Sequence, residues 1–256
     1  MDSMINLQEQ LCAQLQDLEI ANIYEHLKLS DLFVRLGEKY KITSVLEYQG
    51  LKESLGRNNI FWPQTAQITV CDRPEYMEQV NAGWFARELP EFLSQEKLEK
   101  SGRKFDLVWN NAQIQIKPEI FEDMKEYSQK YILLVVPNYF NWGTPFHLLG
   151  HWLFRKPCQH KGRGFKRLSH RAGLRNFLLS QGVKILKEDY LACLLRPNIG
   201  FSTQELKRMI GLKSSQSVAK EKLSGYQIKE KAEKMINFEK RKFFLTARSF
   251  FYFCEL

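Results

Sequence analysis

Tyr131-Ile-Leu-Leu-Val-Val-Pro137 is the longest strongly apolar run in a chain of 256 residues. It is far shorter than the roughly 20 residues a membrane helix needs. It also lacks the polar alternate positions that leave one face of a strand in water. Such a run suits a strand buried on both faces, in a parallel sheet covered by helices. Three β-type runs precede it, Ser44-Val-Leu-Glu-Tyr48, Gln67-Ile-Thr-Val-Cys71 and Phe105-Asp-Leu-Val-Trp109, and Val183-Lys-Ile-Leu-Lys-Glu-Asp-Tyr-Leu191 follows it. Helical stretches at 75–80, 89–101 and 118–129 lie between the earlier runs, the last with Pro118 at its first turn. Strands alternating with helices at this spacing predict βαβ units, and right-handed crossovers then give a doubly wound, mostly parallel α/β sheet.

Around this centre the chain divides into three parts. Residues 1–40 place Leu11, Leu15, Leu18, Ile23, Leu27, Leu32, Phe33 and Leu36 at helical spacing, which predicts two or three short helices ending at Gly37. Residues 41–200 hold the sheet, with an irregular, basic insertion at 138–181 that closes on a helix around Leu174–Leu179. Residues 201–256 form an extension packing on the same domain. It has a polar helical region from Phe201 to Lys242, in which Ser202-Thr-Gln-Glu205 resembles a capping box. The aromatic tail Phe243 to Phe253 is too apolar to be left in water and reads as a final strand or a docked helix.

The formal charge of +9 is unevenly held. Residues 1–126 carry 14 Lys/Arg against 21 Asp/Glu, net −7, and residues 127–256 carry 24 against 8, net +16. Between Glu126 and Glu188 there is no acidic side chain at all. The densest basic stretch, Arg155 to Arg171, suits an anionic partner: an acidic protein, a phosphate-bearing substrate or an anionic surface met peripherally. Its single Phe165 is too little for a base-stacking platform, so nucleic acid is the less favoured partner. Five scattered cysteines without a Cys-x-x-Cys pair argue against a disulfide scaffold and an all-cysteine zinc site. With no apolar segment of signal-peptide length in the first thirty residues, the expectation is a reducing, cytoplasmic setting.

In an open parallel sheet the ligand lies beyond the carboxyl ends of the strands. There the chain carries Glu47-Tyr-Gln-Gly50, Asp72, Asn110-Asn111 and Pro137-Asn-Tyr-Phe-Asn-Trp-Gly143. In this order, over roughly residues 40–191, the chain resembles a class I S-adenosylmethionine-dependent methyltransferase. The likeness is strongest in Val45-Leu-Glu-Tyr, Phe105-Asp-Leu-Val-Trp-Asn and Tyr131-Ile-Leu-Leu-Val-Val-Pro-Asn. The resemblance implies a Rossmann-like fold with S-adenosylmethionine as cofactor. It assigns Glu47 and Gly50 to the amino-acid end of the cofactor, Asp72 to the ribose hydroxyls and Asn110 to the vicinity of the methionine moiety. The family's first loop is acid-x-Gly-x-Gly, whereas this chain has Gln49 and Leu51 at the glycine positions. Either Gly50 and Gly56 line a re-routed loop or the pocket no longer takes the cofactor.

His147, His151, Cys158 and His160 bear metal-binding side chains, but Gly150 interrupts the segment and the spacing is not a common zinc arrangement, so no metal is expected. The more ordinary reading puts His147 and His151 in the acceptor pocket, where an imidazole takes a proton from a hydroxyl or amine. Methyl transfer from a sulfonium depends largely on alignment, so a dedicated base is optional. Two functional expectations follow: methyl transfer to an unidentified, anionic acceptor, or an inactive methyltransferase-like subunit using the basic insertion and aromatic tail as contacts. RNA modification is a third, weaker one.

Overall fold

The computed structural model describes residues 2–15, 20–50, 56–78, 90–111, 117–138, 140–141, 144–145, 149, 170–193, 224–234 and 247–256. Its centre is a seven-stranded sheet in the order β3-β2-β1-β4-β5-β7-β6. The strands are β1 (Ser44–Tyr48), β2 (Gln67–Cys71), β3 (Glu91–Leu93), β4 (Phe105–Asn111), β5 (Ser128–Pro137), β6 (Lys184–Cys193) and β7 (Ala247–Glu255). β1 pairs in parallel with β2 and β4, β2 with β3, and β4 with β5. β7 alone runs antiparallel, wedged between β5 and β6. This is the mostly parallel, Rossmann-like, doubly wound sheet that the sequence implied, and the order in which strands are added switches sides between β1 and β4.

Strand alternation sorts the side chains into two cores. Val45, Val70, Leu107, Trp109, Leu133, Phe251 and Phe253 face α1 (Asp2–Gln14), α2 (Ile20–Tyr40), a 3₁₀ turn (Arg57–Phe61) and, towards the end of the chain, a helix at Gly225–Glu233. Leu46, Tyr48, Val108, Ile132, Leu134, Phe250 and Tyr252 face helices at Gln95–Ser101, Pro118–Tyr127 and Arg171–Ser180. Numbered in chain order after the single turn α3 (Pro74–Met77), these are α4 (Gln95–Ser101), α5 (Pro118–Tyr127), α6 (Arg171–Ser180) and α7 (Gly225–Glu233). From Ala247 on, the aromatic tail is the last strand, paired along both edges with its rings buried on both faces, so this part is core rather than the contact surface expected of an adaptor.

Three sequence expectations are corrected. Residue 37 does not end the helix, because α2 runs on to Tyr40. Gly37 is there for close packing: a Cβ would stand 2.5 Å from Cδ of Pro63. The helix expected from Leu89 begins only at Gln95, capped by the Ser94 hydroxyl, and Glu91–Leu93 joins β2 as a three-residue edge strand. The helix expected to reach Gln129 stops at Tyr127, where Ser128 turns extended and its hydroxyl binds the Tyr131 carbonyl at 2.8 Å. Of the polar region 201–242, Gly225–Glu233 is helical, with a capping box at Ser224 and Gln227; the candidate box at Ser202 lies outside the described residues. Among the described residues, no helix is long and apolar enough to cross a membrane.

Candidate functional site

The carboxyl ends of β1, β2 and β4 are where the candidate residues meet. In the parallel register Tyr48 lies beside Cys71 and Glu47 beside Trp109, so the residues that follow these strands sit side by side. Glu47 continues the alternation of Val45 and points to the α2 side, where it is completely buried. A buried carboxylate is costly unless hydrogen-bonded. Here the Asn59 side-chain amide donates to it, and the Asn59 carbonyl in turn accepts the Trp109 indole N–H at 3.2 Å. One asparagine of the 3₁₀ turn thus joins the ends of β1 and β4.

Its neighbour Asn58 anchors the turn to α2. The Asn58 amide donates to the His26 carbonyl and the Ser30 hydroxyl, both at 2.9 Å, and its carbonyl oxygen lies 2.6 Å from His26 Nδ1. With both Asn58 donor hydrogens engaged, the proton in the last contact belongs to Nδ1. Gly56, at φ 75°, opens this turn. Phe33 stacks on Trp62 with ring centroids 4.1 Å apart and meets Trp109 edge-on at 4.8 Å, which closes the cluster on the apolar side.

Gly50 sits directly over Glu47. A Cβ there would stand 2.8 Å from Glu47 Oε1 and 3.4 Å from the Asn111 nitrogen. No other residue fits without displacing the carboxylate. Asn110 is buried at the end of β4 and donates its amide to the carbonyls of Tyr48 (2.7 Å) and Gln49 (3.2 Å). Its donor hydrogens therefore hold the β1 loop in place. Asp72 follows β2 at 8% exposure, and its Oδ1 accepts the Arg73 N–H at 2.7 Å. The adjacent Cys71 thiol is pushed up to about 12 by burial and by the charges of Asp72 and Glu99, so it stays protonated and non-nucleophilic.

Glu47, Gly50, Asp72 and Asn110 are thus gathered at one end of the sheet. Asn58 and Asn59 were not singled out in the sequence. Their only signal there is a pair of amides directly after Gly56-Arg57, and residues 51–55, which join these to Gly50, lie outside the described residues. Leu51, His147, His151, Cys158 and His160 lie outside the described residues, as does the basic stretch up to residue 169. Its described end is engaged with β6: Arg171 and Arg175 reach Glu188 at 3.4 and 3.3 Å, and the Arg171 guanidinium lies 4.6 Å from the Tyr190 ring centre. A surface cleft of about 420 Å³ between α2 and β6, lined by Arg35, Lys39, Tyr40 and Lys187 among others, opens beside the last turn of α2, near where β1 begins, and is separate from these residues.

A scan against protein-family models finds no match, and a search of curated proteins finds none either. Solved structures with a similar course of the chain include a cyclopropane-fatty-acyl-phospholipid synthase-like protein from Lactobacillus casei ATCC 334, at 11% identity over 92% of both chains with a TM-score of 0.46. The plantazolicin methyltransferase BpumL, in complex with a pentazolic desmethylPZN analog and SAH, shows 11% identity over 99% of this chain and 98% of its own, with a TM-score of 0.48. The methyltransferase domain of bacterial-CtHen1-CN shows 9% identity over 91% of this chain and 100% of its own, also at 0.48. The fold assignment stands on the strand order itself.

Proposed function

We propose that this chain, built on a methyltransferase-type sheet, binds S-adenosylmethionine at the carboxyl ends of β1, β2 and β4 and transfers its methyl group to an acceptor. The observation that carries this reading is the position of the polar residues. Glu47, Gly50, Asn110 and Asn111 lie where strand order reverses between β1 and β4, the place at which open α/β sheets bind ligands, and Asp72 stands on the next strand. The donor set suits the cofactor. Asp72 offers acceptors only, as a ribose diol requires. Glu47 and Asn110 shape the loop, one beneath Gly50 and the other on the Tyr48 and Gln49 carbonyls. When bound, the sulfonium supplies an electrophilic methyl group. The protein's part is to hold the acceptor in line, with His147 or His151 as candidate proton acceptors on that side.

The acceptor, in this reading, is anionic or carried by an acidic partner and meets residues 155–175. Because Arg171 and Arg175 already pair with Glu188, the task falls to the cations before His170. Buried free thiols at Cys12, Cys71, Cys193 and Cys254 suit a reducing, cytoplasmic setting. Titration calorimetry with SAH, the product of the methyl donor, is the direct test. Absence of heat at millimolar ligand would sink this reading. The alternative, an inactive subunit or adaptor, draws on Gln49 at a glycine position, and it predicts a stoichiometric partner on purification from the native source.

A further inference from the structure

Helices α4, α5 and α7 each answer a lysine with a carboxylate three or four residues away: Lys100 with Glu96, Lys125 with Glu122 and Lys229 with Glu233. The last turns of α2 do the opposite. Lys39 follows Arg35 by four residues, so two cations share one face, an arrangement that works against the helix. Asp31, the acid four residues before Arg35, does not neutralise it. Asp31 Oδ1 accepts the Gln8 amide of α1 at 2.9 Å, and Arg35 Nε donates to the Asp31 backbone carbonyl at 3.0 Å instead. Among the described residues, neither Arg35 nor Lys39 forms an ion pair.

Both cations line the cleft of about 420 Å³ between α2 and β6, together with Leu36, Glu38, Tyr40 and Lys187. Cations near a helix C-terminus are favourable by themselves, so the pair on α2 would not alone mark a site. Lys187 makes the difference, because it comes from β6 and adds a third positive charge to the same space. Three cations outnumber the single carboxylate of Glu38. The floor is apolar and fixed. Leu36 is buried, and the Tyr40 ring lies 4.6 Å from that of Phe253 and 5.3 Å from that of Tyr131. The Lys39 ammonium stands 5.1 Å from the Tyr40 ring centre.

We propose that this cleft binds a phosphomonoester. With Nε committed to the helix, Arg35 keeps its two terminal NH₂ groups for the phosphoryl oxygens, which a guanidinium meets in pairs. Lys39 and Lys187 flank the group as point charges, and Leu36 and Tyr40 meet the carbon skeleton of the ester. The volume is that of a small-ligand pocket. The site goes beyond the cofactor reading and stands without it.

The test uses the full chain with phenyl phosphate, and with phosphatidylcholine vesicles with and without phosphatidic acid, whose headgroup is also a phosphomonoester. Arg35 and Lys187 are exposed, so glutamine at either position keeps the fold. Calorimetry should give a Kd for phenyl phosphate below about 1 mM, weakened about tenfold in Arg35→Gln and in Lys187→Gln. Lys184→Gln is the control: Lys184 shares β6 with Lys187 but pairs with Glu255 at 2.9 Å and does not line the cleft, so its loss should leave affinity unchanged. Heat from phenyl phosphate assigns the site to a soluble ester. Co-sedimentation with phosphatidic acid vesicles alone, lost in Arg35→Gln and Lys187→Gln, assigns it to a lipid headgroup. Binding to neither probe overturns the proposal. Equal weakening by Lys184→Gln also overturns it, since the binding would then belong to surface charge in general.

Discussion

The two ends of the sheet are built to different standards. At the amino end, Asp106 Oδ2 accepts the Thr43 N–H, the Thr43 hydroxyl and the Ser44 N–H, at 2.8, 2.6 and 3.2 Å, while Arg103 bridges Glu91 and Thr69. Apart from the buried Thr69, these are exposed or half-exposed groups in ordinary roles, closing turns and tying an edge strand. At the carboxyl end a carboxylate is fully buried, two asparagines are fully buried, and a glutamine stands in left-handed backbone. A protein shaped for stability alone has little reason to assemble such costs in one place. Sparsely populated conformations and buried polar groups persist where their surroundings over-determine them, which is the habit of ligand sites.

The sharpest way to break this contrast is to cut the buried network. Asn59→Ala leaves the Glu47 carboxylate and the Trp109 indole without the partner they share. Removing one partner of a buried charged group costs about 3 kcal/mol or more. Urea unfolding should show a loss of that size, and a loss under about 1 kcal/mol would mean that water replaces Asn59 and the carboxyl end is less demanding than it looks. Next in size is Asp72→Asn, which exchanges a pure acceptor for a group with donors of its own. SAH affinity should fall between tenfold and a hundredfold, about 1.4–2.8 kcal/mol. The same substitution leaving affinity untouched would remove Asp72 from the site.

The amino end offers a pH test. Burial pushes the Asp106 carboxyl up, but the hydrogen bonds from Thr43 and Ser44, aided by Lys130, outweigh it and hold the group below its ordinary value. A carboxyl depressed by folding stabilises the native state above its unfolded pKa, about 3.9. That contribution disappears as pH falls through the lower folded value. Wild-type stability should therefore drop more steeply below about pH 4 than that of Asp106→Asn. Parallel curves in acid titrations followed by circular dichroism would show the Thr43 and Ser44 contacts to be absent in solution.

The same contrast explains what could be read from sequence. β1, β2, β4 and β5 were legible because central strands, buried on both faces, are written as apolar runs. The three residues of β3 are too few to show any period, and a parallel partner, Thr69–Cys71, rather than local preference makes them a strand. Gly37 looked like a helix stop because its real reason, Pro63, lies elsewhere in the chain. Glu47, Gly50, Asp72 and Asn110 were placed by strand-end position, which local sequence records. What Asn59 does to Glu47, or Asp123 to the Tyr48 hydroxyl it accepts at 2.8 Å, depends on the fold bringing distant segments together, and no local pattern announces it.

The smallest expected effect separates the two ends most cleanly, because Lys41 and Gln49 share the same φ of 51°. Lys41 has a local reason for it. It is the residue after α2, and the Ile42 N–H reaches back to the Gly37 carbonyl at 3.2 Å, closing the helix in the usual left-handed cap. Glycine there removes a steric cost of about 1–2 kcal/mol and adds back about 0.5–1 kcal/mol of backbone entropy. Lys41→Gly should therefore gain up to about 1.5 kcal/mol in urea unfolding. At Gln49 the steric gain is the same, but its N–H and carbonyl are tied to the Cys71 carbonyl and the Asn110 amide, so a looser glycine backbone puts both bonds at risk. Gln49→Gly should then gain less than Lys41→Gly. Equal gains at both positions would mean that these two ties do not depend on the residue at 49, and the carboxyl end would lose the feature that most distinguishes it from an ordinary turn.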